Sequence, residues 1–381
     1  MTEWKTKKVG ELADTQLGKM LNKGKQSGKH AKPYLRTDNV HWGSFDLSEI
    51  KEMDILPDEE NKYLATKGDL LMCEGGASGR TAIWNEDYDI SFQNHVHRIR
   101  PKDPKEITPK YLLYFFEWFI KNGFANDLIK GVTISSLSQS GLRSIEVNYP
   151  PLPEQQKIVE ILEDHLSRLD AALADVKQAK LKAAQFRRAF IHEMTTSVEG
   201  SEVMNILEIC DVYQPKTIST KELIPDGEFP VYGANGQIGL YDKFNHEESE
   251  VTVTCRGATC GTVNVIPAMS WITGNAMVFS PKDSRIQKGY LEYVLRGMDW
   301  TPVITGTAQP QITRTSIKDV FINVPRPETQ QEIYMKLESA LTQVTNASVL
   351  SETIELQGAS LRRSLLNAAF TGQLTKEVAS V

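Results

Sequence analysis

Two histidines, His95 and His97, stand two apart in an alternating segment, so a strand would put both imidazoles on one face. A metal centre would need a third ligand, and the sequence offers none at a recognisable spacing. Cys255 and Cys260 are the one close pair among four cysteines, the others being Cys73 and Cys210. Nothing nearby completes a zinc site, so the pair reads as buried free thiols, and four cysteines are too few and too irregular for a disulfide framework. Asn148-Tyr149-Pro150-Pro151 has the composition of the Asn/Asp-Pro-Pro-aromatic motif that methylates base amino groups, but the order is wrong. It reads instead as a chain stop between a strand and a helix. Gly233-Ala234-Asn235-Gly236 is not a dinucleotide fingerprint and lacks the helix and acidic residue that should follow it. No Walker A pattern occurs, and no spacing of carboxylates and lysine suggests a nuclease. The residue types argue against an enzyme, and no cofactor or metal is expected in this chain.

Glycine-rich loops at strand ends are what the chain does offer, and they let a backbone approach another surface closely. Leu70–Met72 runs into Glu74-Gly75-Gly76-Ala77-Ser78-Gly79-Arg80 and then Thr81–Trp84, a strand, loop and strand. Glu248–Ile266 has the same order around Gly257 and Gly261. Polar side chains on such loops suit nucleic acid. In the first half, Lys23, Lys25 and Lys29 are the candidates for phosphates, and Arg36, Asn39 and Arg80 for base edges. In the second half the candidates are Asn235, Gln237, Arg256, Gln309 and Arg314. Arg matches the paired acceptors of guanine, and Asn or Gln the donor and acceptor of adenine. Taken singly, an exposed polar residue in a loop is more often simply solvated. Trp42, Phe45, Tyr232 and Tyr241 read as core packing rather than as base-stacking platforms.

Charge is divided on this point. The net charge is −6, against the global basicity of most nucleic-acid binders. The first 36 residues, however, hold nine Lys and Arg against Glu3, Glu11 and Asp14. With 381 residues and 40% hydrophobic content there is room for two or three domains with real cores. No apolar run approaches membrane-spanning length and Met1–Leu12 has no signal-peptide core, so the expectation is a soluble cytoplasmic protein.

The elements that must position these loops are two long helices. Pro153–Met194 carries apolar residues at Val159, Leu162, Leu166, Leu169, Leu173 and Val176, alternating steps of three and four. Lys180 and Arg187 interrupt this seam, and Ala183 and Phe190 continue it. Such a narrow stripe is a coiled-coil heptad, about 60 Å long at 1.5 Å per residue, and it needs a partner helix. The partner is Pro327–Phe370. Its seam falls on Leu337, Ala340, Val344, Ala347, Ser351, Ile354, Gly358, Leu361 and Leu365, with small and polar members. Ser351 and Gly358 either permit close helix approach or mark where another subunit docks. The first helix runs from acidic (Glu154 to Asp175) to basic (Lys177 to Arg188), a gradient an antiparallel neighbour can use.

The two helices are copies. Pro-Glu-Gln-Gln-Lys-Ile at Pro153 recurs as Pro-Glu-Thr-Gln-Gln-Glu-Ile at Pro327, and Phe186–Phe190 recurs as Leu361–Leu365 at an offset of 175. The globular halves repeat as well. Gly76-Ala77 matches Gly257-Ala258, and Asn94 matches Asn275 at the same offset of 181, each before a strand leading to Pro-Lys-Asp. The helix at Thr108–Asn122, with Thr108 as N-cap and Pro109 at N1, matches Lys288–Met298. Gly131 matches Gly306, and Asn148 matches Asn323. The expected fold class is α+β: two β-rich domains, residues 1–152 and 199–326, alternating with long helices, residues 153–198 and 327–381, as a tandem repeat.

This order of motifs resembles the specificity subunit of Type I restriction–modification systems. The resemblance covers essentially the whole chain and rests on the two helix starts, on Phe229–Asp242, on the glycine loops, and on the segments at Gly131 and Gly306 before the strand and prolines. It implies two target recognition domains held apart by antiparallel spacer helices, each reading half of a split site in double-stranded DNA. It also implies methyltransferase subunits docked on the assembly, two if each helical repeat takes one, and motor–nuclease subunits for restriction. S-adenosylmethionine, ATP and Mg are then expected on those partners. A coiled-coil scaffold whose end domains bind proteins without DNA specificity is the competing reading.

Overall fold

The computed structural model describes residues 4–375 apart from 23, 25, 76–77, 131–135, 197 and 307–308. Contacts divide the chain into two units, residues 1–174 with 354–381, and residues 175–353. Both long helices are cut by this division, so neither is a body separate from the globular regions. Burial explains why.

In the first unit, β1 (Lys5–Lys8), β2 (Ala13–Leu17), β3 (Ala31–Leu35), β4 (Lys51–Asp54), β5 (Leu64–Ala65), β6 (Leu70–Cys73), β7 (Thr81–Ile83), β8 (Ile90–Phe92) and β9 (Val96–Pro101) precede α1 (Pro109–Lys121). Then come β10 (Glu146–Tyr149) and the long α2 (Leu152–Thr196). One antiparallel sheet has the order β2-β9-β6-β7, and a second has β4-β3-β8-β5 with β3 parallel to β8. β1 pairs antiparallel with β10, Lys5 opposite Tyr149. α1 starts as its sequence predicts, Thr108 accepting from the Tyr111 amide and Pro109 filling N1. Its buried face of Tyr111, Leu112, Phe115 and Phe116 meets Ile158, Val159, Leu162 and Leu166 of α2 in one core with Leu366, Ala369 and Phe370. The globular fold thus completes itself only with turns from both long helices.

The second unit contains β11 (Glu202–Asn205), β12 (Cys210–Tyr213), β13 (Phe229–Gly233), β14 (Gly236–Tyr241), β15 (Glu250–Thr254), β16 (Val263–Ile266), β17 (Trp271–Ile272), β18 (Ala276–Pro281), α3 (Lys288–Gly297), β19 (Phe321–Val324) and the long α4 (Pro327–Phe370). Its main sheet, β12-β18-β15-β16, repeats the first unit strand for strand. The parallel pair β3/β8 recurs as β13/β17, and β1/β10 as β11/β19. The backbone corrects one match. Glu74 N donates to His95 O, and the equivalent bond runs from Cys255 N to Asn275 O. His95, not Asn94, is therefore the counterpart of Asn275, and the offset through this strand is 180, as Pro101 and Pro281 confirm in their pairing with Ala13 and Cys210.

Within each unit the two long helices run antiparallel. In the first, Thr375 bonds Glu154, Arg362 bonds Asp170, and Gly358 lies against Leu173. In the second, Lys180 from the basic stretch of α2 meets Glu352 of α4 at 3.3 Å. The α2 seam falls where its heptads predict, with Leu169, Leu173, Val176, Lys180 and Ala183 half-buried, although Arg187 is exposed. The α4 seam needs correction at two places. Ala347 and Leu361 are exposed, and Ser348 and Arg362 turn inward instead. Arg362 is drawn in by acids on two neighbouring helices, Glu117 and Asp170. Gly358 answers the question of the small residues at its own position. A Cβ there would stand 2.9 Å from Leu173 Cδ2, so the glycine serves close approach.

Candidate nucleic-acid interface

In the second unit three loops meet at one end of the sheets. The turn after β13 places Ala234 O where Thr254 Oγ1 (2.5 Å) and Asn264 Nδ2 (3.3 Å) both donate to it. Asn235 follows, exposed, its Oδ1 accepting from Thr259 Oγ1 on the glycine loop. That loop bonds in turn to a third segment, Gly257 N to Pro310 O (3.0 Å) and Ile312 N to Cys255 O (2.9 Å), with Arg256 bridged to Gln311. Gly306 closes this segment at φ +84°, where a Cβ would meet Gln309 O at 2.7 Å. Asn235 and Gln237, at the turn and first residues of the β13–β14 hairpin, and Arg256 and Gln309, on the loops beside it, are all exposed. Arg314 is exposed at the start of the next turn, two residues beyond Ile312. Side-chain bonds tie the first loop to the second and backbone bonds tie the second to the third, so the side chains stand on fixed supports.

The first unit builds the same end with other residues. The loop after β3 carries Arg36 and Asn39, the glycine loop carries Arg80, and Leu137 N donates to Glu74 O where Ile312 N meets Cys255 O in the repeat. Arg80 Nη2 donates to Thr37 O at 2.9 Å, so the two loops are tied by a candidate residue itself. Arg36 is half-buried, its Nη1 and Nη2 each 3.6 Å from a carboxylate, Asp38 and Glu49. The Nε atoms of Arg36 and Arg80 are buried without a hydrogen-bond partner.

Asn39 does not fit its expected role. It is buried, its Oδ1 accepts from Arg36 N, and its Nδ2 donates to Asp46 O and Glu49 O, so the amide is turned to the backbone and away from a base. Lys29 is exposed on a turn wrapped around the Asp54 carboxylate, which accepts from the amides of Ser27, Gly28 and His30 and from Ser27 Oγ. Burial opposes charge on Asp54, but these bonds prevail and hold its pKa below the ordinary aspartate value. Lys23 and Lys25, like Gly76, Ala77 and Gly131, lie outside the described residues.

Two residues hold these loops in ways their sequence positions do not signal. Asp54 organises the basic turn but reads as an ordinary strand-end acid. His95 leaves the alternating strand with φ +75° and sets its Nδ1 3.0 Å from Glu74 of the glycine loop. His97 is buried with Nε2 2.9 Å from Leu137 O, and burial pushes its pKa down. The two imidazoles are engaged separately. Asn148 and Asn323 sit at a chain stop, each lending its carbonyl to a tyrosine hydroxyl, Tyr111 and Tyr290. Among the described residues no helix is long and apolar enough to cross a membrane.

Comparison with known proteins follows the same lines. The family described as Type I restriction modification DNA specificity domain matches residues 1–182 and 198–356. A putative type I restriction enzyme MjaX specificity subunit of Methanocaldococcus jannaschii is 22% identical, over 98% of this chain and 94% of its own. The type I restriction enzyme StySPI specificity subunit of Salmonella potsdam is 20% identical, over 91% and 83%. A chain solved in work on complex assembly and conformational transition of the type I R-M system has a TM-score of 0.79 at 18% identity, covering 98% of this chain and 100% of its own. The HsdS subunit from Thermoanaerobacter tengcongensis has a TM-score of 0.55 at 18% identity, over 97% of each chain.

Proposed function

The chain belongs to the Type I restriction modification DNA specificity family, and from that premise we propose how its two units divide the work. It is the non-catalytic DNA-recognition subunit of a type I restriction–modification system and assembles with the other subunits of that system. Each unit reads one half of an asymmetric bipartite site in double-stranded DNA through its three-loop end. The observation that carries this is the same three-loop end built twice on the same sheet order, with different side chains at the tips: Arg36 and Arg80 in one, Asn235, Gln237, Arg256 and Gln309 in the other. Same support and different tips are what two different half-sites require. Lys29, with Lys23 and Lys25 beside it in sequence, serves the phosphates, and Arg314 supports the second half-site.

The spacer helices set the gap between half-sites and dock the methyltransferase subunits, two of them. What supports two is a repeated exposed apolar pair, Leu181 and Phe186 on α2 and Leu356 and Leu361 on α4, at the helical offset of 175. S-adenosylmethionine, ATP and Mg belong to the methyltransferase and motor–nuclease partners, and the complex works in the cytoplasm. Selection of bound sequences from a random duplex pool, with the methyltransferase present, should return two unlike short motifs at a fixed gap. A single contiguous motif would refute the proposal.

A further inference from the structure

Arg187 and Arg362 hold the same place in the repeated segments Phe186–Phe190 and Leu361–Leu365. Their surroundings differ. Arg362 is locked, Nε 2.6 Å from Glu117 Oε1 and Nη1 2.8 Å from Asp170 Oδ1. Tyr111 and Tyr290 are counterparts, each donating its hydroxyl to the carbonyl of the chain-stop asparagine. Counting from them, the position of Glu117 on α1 is taken on α3 by Arg296. The acid that neutralises the first site has become a base in the second.

Arg187, Arg188 and Arg296 line one cleft of about 350 Å³ together with Ile191, Gly261 and Thr262. Arg296 is turned by Glu292 at 2.8 Å and donates Nη1 to Val263 O at 3.0 Å. Arg187 makes no hydrogen bond or ion pair among the described residues. Guanidinium groups present planar forks of donors that match an oxyanion, and grouping them without one is unfavourable. The cleft wall formed by Gly261 and Thr262 is the returning leg of the glycine loop whose outgoing leg carries Arg256, the legs tied by Gly261 N to Thr254 O at 2.8 Å.

We propose that this cleft binds a backbone phosphate of the DNA read by the second unit, a contact the first unit has replaced by the Glu117–Arg362 ion pair. The inference rests on the DNA reading above. The test uses the full chain co-purified with its methyltransferase subunit, with R187Q/R188Q and the charge-retaining R187K/R188K as variants. Binding is measured across a salt series to a duplex carrying the selected site and to an unrelated duplex. One lost phosphate contact lowers the slope of log Kd against log salt by about 1 and weakens both duplexes roughly tenfold, leaving their ratio unchanged. The lysine variant keeps the wild-type slope. An unchanged slope in R187Q/R188Q, with wild type binding normally, overturns the inference alone. Loss of co-purification at normal melting temperature also overturns it, because the cleft then takes a carboxylate of the partner protein. Failure of the wild-type complex to prefer any sequence overturns both this inference and the DNA reading.

Discussion

Gln155 and Gln330 make the same three hydrogen bonds, each to the backbone that leads into its own long helix. Gln155 Oε1 accepts from Thr108 N, and its Nε2 donates to Glu106 O and Pro150 O. Gln330 Oε1 accepts from Gln287 N, and its Nε2 donates to Arg285 O and Pro325 O. Both side chains are fully buried. One amide therefore fixes the end of a strand and the start of a sheet-covering helix against the spacer. Replacing Gln155 by Leu leaves a buried amide and two buried carbonyls unpaired. The expected loss is on the order of 3 kcal/mol, read by urea denaturation, and Gln330→Leu should match it.

Glu117 is the buried member of the Arg362 ion pair. Burial alone would raise its pKa, but the bond to Arg362 and the charges of Arg362 and Lys121 prevail and hold it below the ordinary glutamate value. A depressed folded pKa means stability present above the unfolded value, near 4.5, and lost as pH falls through the lower folded one. Wild type should therefore lose stability below the ordinary glutamate range more steeply than Glu117→Gln. Arg362→Met alone leaves the buried carboxylate to Lys121, 2.5 Å away, and should cost about 1–3 kcal/mol. The double variant Glu117→Gln/Arg362→Met should recover much of that in thermal unfolding.

Asp54 predicts an effect on binding without contact. Asp54→Ala removes the acceptor that gathers the Ser27–His30 turn. The complex should bind all duplexes more weakly, with unchanged sequence preference. A shift of preference confined to one base pair would instead make this turn a base reader.

Tip residues should act on one half-site each. Arg256→Ala or Gln237→Ala should relax the motif read by the second unit, each lost bidentate contact being worth about 1–3 kcal/mol of discrimination. The motif of the first unit should not move. Arg80→Ala should do the reverse, and also loosen the first unit because Thr37 O loses its donor. Binding selections with each variant complex decide between the two patterns.

Gly358→Leu should break the antiparallel pairing in the first unit, since even a Cβ stands 2.9 Å from Leu173. Leu173→Ala in the same chain should restore part of the lost stability. Lack of rescue would show that the glycine is needed for another reason.

Periodicity and repetition were enough for the sequence to determine the α+β class, both long helices, the tandem duplication and the α2 seam. Those signals are local or self-comparing: a heptad, a capped helix start, a motif met twice. Tertiary structure alone decided how the segments combine. Asn39 reads as a base reader because its type suits adenine, but its amide is consumed by backbone groups 7 and 10 residues away. Leu361 belongs to the heptad, yet Arg362 takes the inward place because it donates to Glu117, 245 residues away in sequence. The match of His95 with Asn275 is set by strand register, which a one-residue change of offset does not reveal along the chain. Burial and pairing between distant segments are properties of packing, and no spacing along the chain records them.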